Sequence, residues 1–110
     1  MAGKFELKIA RNGKYHFNLL ASNGQIILSS EMYETRAAAE NGITSVRKNS
    51  PNDNHFVRLT STQGHPYFVL KADNGQIIGR SELYYSSSAL ENGIDAVKSM
   101  GSNAEHSLKS

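Results

Sequence analysis

Two short polar motifs contain the side chains best able to do chemistry in this chain. One motif is Ser-Glu-x-Tyr and the other is Glu-Asn-Gly-Ile, and each occurs twice. A carboxylate beside a phenol could line a ligand pocket, and an Asn within a predicted helix could hydrogen-bond to a ligand. The ligand-binding candidates are therefore Ser30, Glu31, Tyr33, Asn41, Ser81, Glu82, Tyr84 and Asn92.

A structural role explains most of these residues, and it is the favoured interpretation of Ser-Glu-x-Tyr. Each Tyr would pack over a strand-to-helix corner, and each Glu would accept hydrogen bonds from the free backbone donors of the helix N-terminus. Asn41 and Asn92 are poor helix formers. A hydrogen bond to a loop or to the other half of the chain explains them as well as a ligand does.

The glycines of the second motif, Gly42 and Gly93, lie inside predicted helices. A glycine there costs about 1 kcal/mol relative to alanine. Since glycine permits close backbone approach, the pair predicts tight contact between helix and sheet, or between two helices.

Catalytic signatures are absent from the sequence. It has no phosphate-binding loop and no Gly-x-Ser-x-Gly elbow. It has no cysteine, and its four histidines lack metal-ligand spacing. Glu31 and Glu82 could meet at a symmetry axis as an acid–base pair, but this is the least supported function. We predict no catalytic residue, no metal and no cofactor.

An internal duplication positions both motifs. When the sequence is compared with itself at an offset of 51 residues, 18 of the 35 positions from 13 to 47 are identical. Such self-similarity indicates repeated structural units. Two alignments remain open for the first strands of the repeats. Phe5 matches Phe56 at the offset of 51, whereas a shift of one residue would match Leu7 and Ile9 with Val57 and Leu59.

Each copy has the pattern of three strands followed by a helix. Alternating apolar residues predict the strands. Asn-Gly pairs predict type I′ turns, with positive φ at both central residues. Thr35 and Ser86 are placed to cap the helices. Leu20 and Ile27, like Val69 and Ile78, are expected on the sheet face away from the helix. A unit of this size is marginal alone, so we expect the two units to pair.

The charge balance neither requires nor excludes a nucleic-acid partner. Twelve basic and ten acidic residues leave a net charge of +2, and the basic residues are scattered. Strands of a sheet can enter a DNA groove. The candidates on the outer face for this alternative function are Lys8, His16, Arg58, Tyr67, Lys71 and Arg80.

The repeated motifs resemble those of the YegP-like family of small bacterial proteins. The resemblance covers about residues 4–98 and rests on Asn-Gly-Gln-Ile-Ile, Ser-Glu-x-Tyr and Glu-Asn-Gly-Ile in the same order twice. It implies tandem β-β-β-α-β units that join into one sheet and exchange their last strands. In that arrangement His55 to Leu59 would end the first unit and begin the second. The resemblance implies no function.

The predicted fold class is α+β: two tandem βββα(β) repeats form one pseudo-twofold antiparallel sheet with both helices packed on it. We expect a single domain over 1–110, with repeat one at about 4–48, a connection at 49–54 and repeat two at about 55–99. The tail, 100–110, should be largely flexible with a possible short strand at 104–108.

The predicted function is a non-enzymatic binding or interaction module. With no apolar leader at the N-terminus, we expect a cytoplasmic protein. Its partners are unknown, a membrane is not expected among them, and we expect a monomer that contains an internal pseudo-dimer.

Overall fold

The structure, a computed structural model, describes residues 3–101 and the backbone of residues 105–108. A short 3-10 turn, Asp53–His55, precedes the fourth strand. The strands and helices in these ranges are β1 Lys4–Ile9, β2 Tyr15–Leu20, β3 Ile26–Ser30, α1 Arg36–Asn49, β4 Phe56–Thr60, β5 Pro66–Lys71, β6 Ile77–Arg80, α2 Ser87–Gly101 and β7 Glu105–Leu108.

The strands form one sheet in the order β4-β5-β6-β3-β2-β1-β7. The six strands of the two repeats pair antiparallel, whereas β7 pairs parallel with β1. Both helices pack on the same face, where α1 contacts β2, β5 and β6 and α2 contacts β3 and β5. The predicted fold class is confirmed, and the second repeat supplies the parallel strand at the edge of the first.

A pseudo-twofold axis relates the repeats. Ser29 of β3 lies opposite Arg80 of β6, and these two residues are 51 positions apart. In the helical layer, a Cβ added to Gly101 would meet the side chain of Ser50, which is its counterpart at the same offset. Because counterparts meet in both layers, the axis passes through the β3–β6 junction and the C-terminal ends of the helices.

Strand pairing settles the alignment of the first strands. Phe5 lies opposite Leu19, and Phe56 lies opposite Leu70. The offset of 51 therefore holds throughout, with no residue inserted in the following turn. Leu7, fully buried, corresponds to Arg58, which is exposed.

The hairpin turns differ from the predicted type I′ geometry. Positive φ is confined to Gly13, Gly24, Gly64 and Gly75 in the described part of the chain. In the turn after β2, Gly24 N–H donates to the Ala21 carbonyl oxygen, and Ala21 N–H donates to the Gln25 carbonyl oxygen. This is a type I turn closed by a glycine in the left-handed region. The Asn23 side chain stabilises the turn by accepting from Gln25 N–H, so Asn needs no positive φ.

Two β-bulges overturn the predicted orientation of Ile27 and Ile78. Leu19 pairs with Leu28 and Leu20 pairs with Ile26, so Ile27 is an extra residue in β3. The same break occurs around Ile78 in β6. A bulge breaks the strict alternation of side chains. Both isoleucines therefore belong to the core beneath the helices.

The tail is described only in part. Helix α2 continues to Gly101, and β7 lies within the range 104–108. Of the tail 100–110 that is predicted to be largely flexible, residues 102–104 and 109–110 lie outside the described residues. The repeat boundaries given above stay predictions.

Candidate functional site

Two open clefts lie between a helix and the end of a hairpin, one on each side of the pseudo-twofold axis. Cleft one has a volume of about 660 Å³ and cleft two about 620 Å³. Cleft one is lined by Glu31, Tyr33, Ala38, Asn41, Gly42, Ser45, Ala72, Asn74, Gly75, Gln76, Ile77 and Ile78. Cleft two is lined by Gly24, Gln25, Ile26, Ile27, Glu82, Tyr84, Ala89, Asn92 and Gly93.

Each cleft is built from both repeats. In cleft one, Glu31, Tyr33 and Asn41 come from repeat one, whereas Gln76 comes from a hairpin of repeat two. Cleft two reverses this arrangement. The antiparallel β3–β6 junction causes the exchange, because it brings the second hairpin of each repeat beside the helix of the other. Six of the eight ligand-binding candidates thus line two clefts, three in each.

The two serines of Ser-Glu-x-Tyr have a structural role outside the clefts. Ser30 Oγ accepts a hydrogen bond from Phe17 N–H at 2.8 Å and donates to the Glu31 carbonyl oxygen at 2.8 Å. Ser81 makes the same pair of bonds with Phe68 and Glu82. Each hydroxyl therefore bridges two strands where direct backbone pairing ends.

The two tyrosines pack as the structural interpretation predicts. Tyr33 stacks on Phe17 and Tyr84 on Phe68, each with ring centroids 6.2 Å apart and planes 13° apart. Each ring reaches the glycine of its own helix: a Cβ on Gly42 would lie 2.8 Å from Tyr33 Cζ. The close contact that requires these glycines is with the tyrosine in both repeats, and at Gly42 it is also with Phe17 of β2, whose Cε2 would lie 2.9 Å from the added Cβ.

The glutamates do not cap the helices. The cap of α1 is Thr35, whose Oγ1 accepts from Ala38 N–H at 3.0 Å, and Ser86 caps α2 through Ala89 N–H at 3.1 Å. Glu31 and Glu82 line the clefts instead. Burial, and then the adjacent glutamate, raises the pKa of both Tyr33 and Tyr84 above the usual value for a phenol. Each cleft therefore pairs a carboxylate with a phenol that keeps its proton at neutral pH.

The cleft amides complete the polar lining. Within the described residues, neither Asn41 nor Asn92 makes a side-chain hydrogen bond, although both line a cleft. Sequence reasoning missed Gln25 and Gln76. Asn23 Nδ2 donates to Gln25 Oε1 at 3.3 Å, and Asn74 holds Gln76 in the same way. The repetition of Asn-Gly-Gln-Ile-Ile could have identified both glutamines as candidates, but Asn-Gly by itself indicates only a turn.

Glu31 and Glu82 line different clefts. Because neither cleft contains both carboxylates, the geometry gives no support to an acid–base pair of Glu31 and Glu82, the least supported of the functions considered. Within residues 3–101, no three His, Asp or Glu side chains come close enough together to hold a metal ion.

Five of the six nucleic-acid candidates lie on the open face of the sheet, opposite the helices. Lys8 lies opposite His16, and Arg80 lies opposite Val69. Tyr67 and Lys71 alternate with core residues of β5. Arg58 is the exception, because it lies opposite Phe68 on the helix-facing side and bonds Glu91 of α2. The expected position of Arg58 on the outer face is therefore wrong.

The paired repeats and their clefts define a class: a tandem βββα protein with internal pseudo-twofold symmetry. The chain belongs to the family described as "Domain of unknown function (DUF1508)", whose sequence pattern matches residues 10–56 and 61–107. The resemblance to YegP-like proteins is thereby confirmed. No helix in the described part of the chain is long and apolar enough to span a membrane.

Relatives and solved structures agree with this assignment. The chain is 57% identical to UPF0339 protein YegP of Yersinia pestis over 99 residues, which is 90% of this chain and 88% of that protein. It resembles the solution NMR structure of yegP from E. coli, titled a protein of unknown function, with a TM-score of 0.94 at 42% identity. That match covers 99% of this chain and 94% of the other. A UPF0339 protein from Shewanella oneidensis matches with a TM-score of 0.92 at 41% identity, covering 98% and 92%.

Proposed function

We propose that this protein is a non-enzymatic binding module that holds one small ligand in each of its two clefts. The observation that carries the proposal is that repeated polar residues without a folding role converge on both clefts. Serine and tyrosine of Ser-Glu-x-Tyr have structural contacts, whereas the glutamates do not cap helices and the side chains of Asn41 and Asn92 form no hydrogen bond with the described residues. We expect the protein to act as a monomer in the cytoplasm.

A fragment screen followed by two-dimensional NMR tests this proposal. A ligand of the clefts should shift the amide signals of Asn41, Asn92 and the two hairpins that line the clefts. The double variant Asn41→Ala with Asn92→Ala should weaken binding in each cleft about fivefold, because each cleft loses one hydrogen bond that contributes about 1 kcal/mol. Asn54→Ala is the matched control, since Asn54 is exposed and lines neither cleft. Ligands that shift only the amide signals of residues on the open face of the sheet would contradict the proposal.

Nucleic-acid binding by the open face is the second candidate. The observation in its favour is that the basic residues Lys8, Lys71 and Arg80 share this face with Tyr67. Affinity for DNA should fall steeply as salt rises if phosphates are neutralised. The absence of a gel shift at low salt and micromolar protein would rule this function out.

A further inference from the structure

Each cleft has one charged residue in its lining, and in both cases it is a glutamate. The rest of the lining is a tyrosine, two isoleucines, alanine, glycine and side-chain amides, with Ser45 in cleft one as well. No basic side chain lines either cleft among the residues described. An anionic ligand would therefore meet a carboxylate in either cleft, whereas a cationic ligand would gain a charge-assisted hydrogen bond.

The two carboxylates differ in their surroundings. Glu31 Oε2 lies 3.6 Å from Arg80 Nη2. The counterpart of Arg80 in the other repeat is Ser29, and Glu82 forms no ion pair with any residue in the described ranges. Ser29 and Arg80 occupy equivalent positions in the two repeats but differ in charge, so the pseudo-symmetry breaks at this pair, beside the clefts. It leaves one glutamate partly neutralised and the other without a counter-charge.

We propose that each cleft takes a small organic cation, an amine or guanidinium on a short chain, and that cleft two binds it more tightly than cleft one. The carboxylate receives the cation, the tyrosine ring contacts the chain, and the asparagine and glutamine amides bond to its polar groups. Arg80 weakens cleft one by competing for Glu31. This inference rests on the function proposed above and names its ligand class.

Three probes of similar size and different charge test the inference: 1,4-diaminobutane, 1,4-butanediol and glutarate. Each is titrated into the labelled protein by NMR at roughly 0.15 M salt, where interactions between distant exposed charges are screened. The diamine should shift Asn92 and Gln25 at lower concentration than Asn41 and Gln76. It should bind at least about tenfold more tightly than the diol, because charged hydrogen bonds exceed neutral ones.

Two substitutions assign the effect to the named residues. Glu82→Gln should weaken diamine binding in cleft two about tenfold, whereas Asp95→Asn, an exposed acid of α2 outside the cleft lining, should leave it unchanged. Arg80→Ser copies the counterpart residue and should raise the affinity of cleft one to that of cleft two. Arg80 is exposed, so this variant is expected to fold.

The outcomes separate this inference from the proposed function. If glutarate or butanediol binds the clefts as tightly as the diamine, the cation inference is overturned and the binding module stands. If Glu82→Gln leaves diamine binding unchanged, the role of the carboxylate is overturned. If Arg80→Ser leaves the clefts unequal, the explanation of their inequality is wrong. If none of the three probes shifts either cleft, the cation inference fails, and the fragment screen decides on the module separately.

Discussion

At the scale of single residues, Gly42 and Gly93 are constrained by the tyrosines that contact them. Tyr84 Cζ would lie 2.6 Å from a Cβ placed on Gly93. The stacking of Tyr84 on Phe68 holds the ring in that position. The lower helix propensity of glycine is thus accepted at both equivalent positions so that the hydroxyl end of a tyrosine can lie against the helix and the residue can line a cleft.

Replacing Gly93 by Ala should destabilise the protein although alanine favours helix. Overpacking costs about 1–3 kcal/mol, and the helix gains about 1 kcal/mol. The expected net change is a loss of about 1 kcal/mol in the free energy of unfolding, measured by equilibrium urea denaturation.

The control is the same substitution in a Tyr84→Leu background, where the ring is gone. There Gly93→Ala should become stabilising by up to about 1 kcal/mol, because only the propensity term remains. Equal effects in both backgrounds would show that the tyrosine is not the reason for the glycine.

At the scale of elements, an ion network fastens β4 to α2 and to the turn before β4. Arg58 Nε donates to Glu91 Oε2 at 2.6 Å and Arg58 Nη2 to Asp53 Oδ1 at 3.0 Å, while Lys98 Nζ lies 2.7 Å from Asp53 Oδ1. Hydrogen bonds from Arg58 and then Lys98 lower the pKa of Asp53 to about 2. Arg58 lowers the pKa of Glu91 in the same way. Exposed pairs are usually weak, but networks of several charges contribute more.

Removing Arg58 should change how stability depends on pH. A carboxylate whose pKa is lower in the folded than in the unfolded chain stabilises the fold above its unfolded pKa, and this stabilisation is lost as pH falls through the folded pKa. Arg58→Gln should therefore be less stable than the native chain at neutral pH. The difference should shrink between about pH 4.5 and pH 2, as measured by urea unfolding across that range.

Arg11→Gln serves as the comparison, because Arg11 is an exposed turn residue that forms no ion pair with the described residues. The stability difference for this variant should not change across the same pH range. A pH-independent difference for Arg58→Gln would show that the network does not couple β4 to α2.

At the scale of the whole molecule, the two ends of the sheet are different. Strand β1 is covered by β7, and its inward residue Leu7 is fully buried. Strand β4 lies at the other end, and no further strand follows it among the described residues. Its inward residue at the equivalent position is Arg58. Inward-pointing charge on an edge strand discourages pairing with other chains, so we expect Arg58 to hinder the pairing of this edge with a second chain.

Arg58→Leu should make the protein self-associate. The substitution makes the free edge resemble β1, which accepts a parallel strand in the native fold. We expect dimers or larger species by size-exclusion chromatography with light scattering at concentrations where the native chain is monomeric. Arg11→Leu adds the same side chain away from any sheet edge and should stay monomeric. If the Arg58→Leu variant stays monomeric, the charge of Arg58 does not prevent strand β4 from pairing with another chain.

Much of this architecture could be predicted from sequence because it depends on local patterns. Apolar alternation identified the strands, and Thr35 and Ser86 identified the helix starts, since the caps depend on residues only three positions away. The bulges at Ile27 and Ile78 escaped prediction because one inserted residue changes the side-chain orientation without changing composition. The position of Arg58 escaped prediction because strand register depends on pairing partners.

The sequence by itself determined that this protein is a duplication of one βββα unit, because the same residues recur at an offset of 51. It also identified most of the polar residues of the clefts, although not which of them share one. Only the tertiary structure decided that each cleft combines the helix and corner of one repeat with the hairpin of the other. The physical reason is that Ser29 and Arg80 pair across the axis, and this long-range contact cannot be read from local patterns. That contact also places Ser29 and Arg80, which are equivalent positions with different side chains, beside the glutamates.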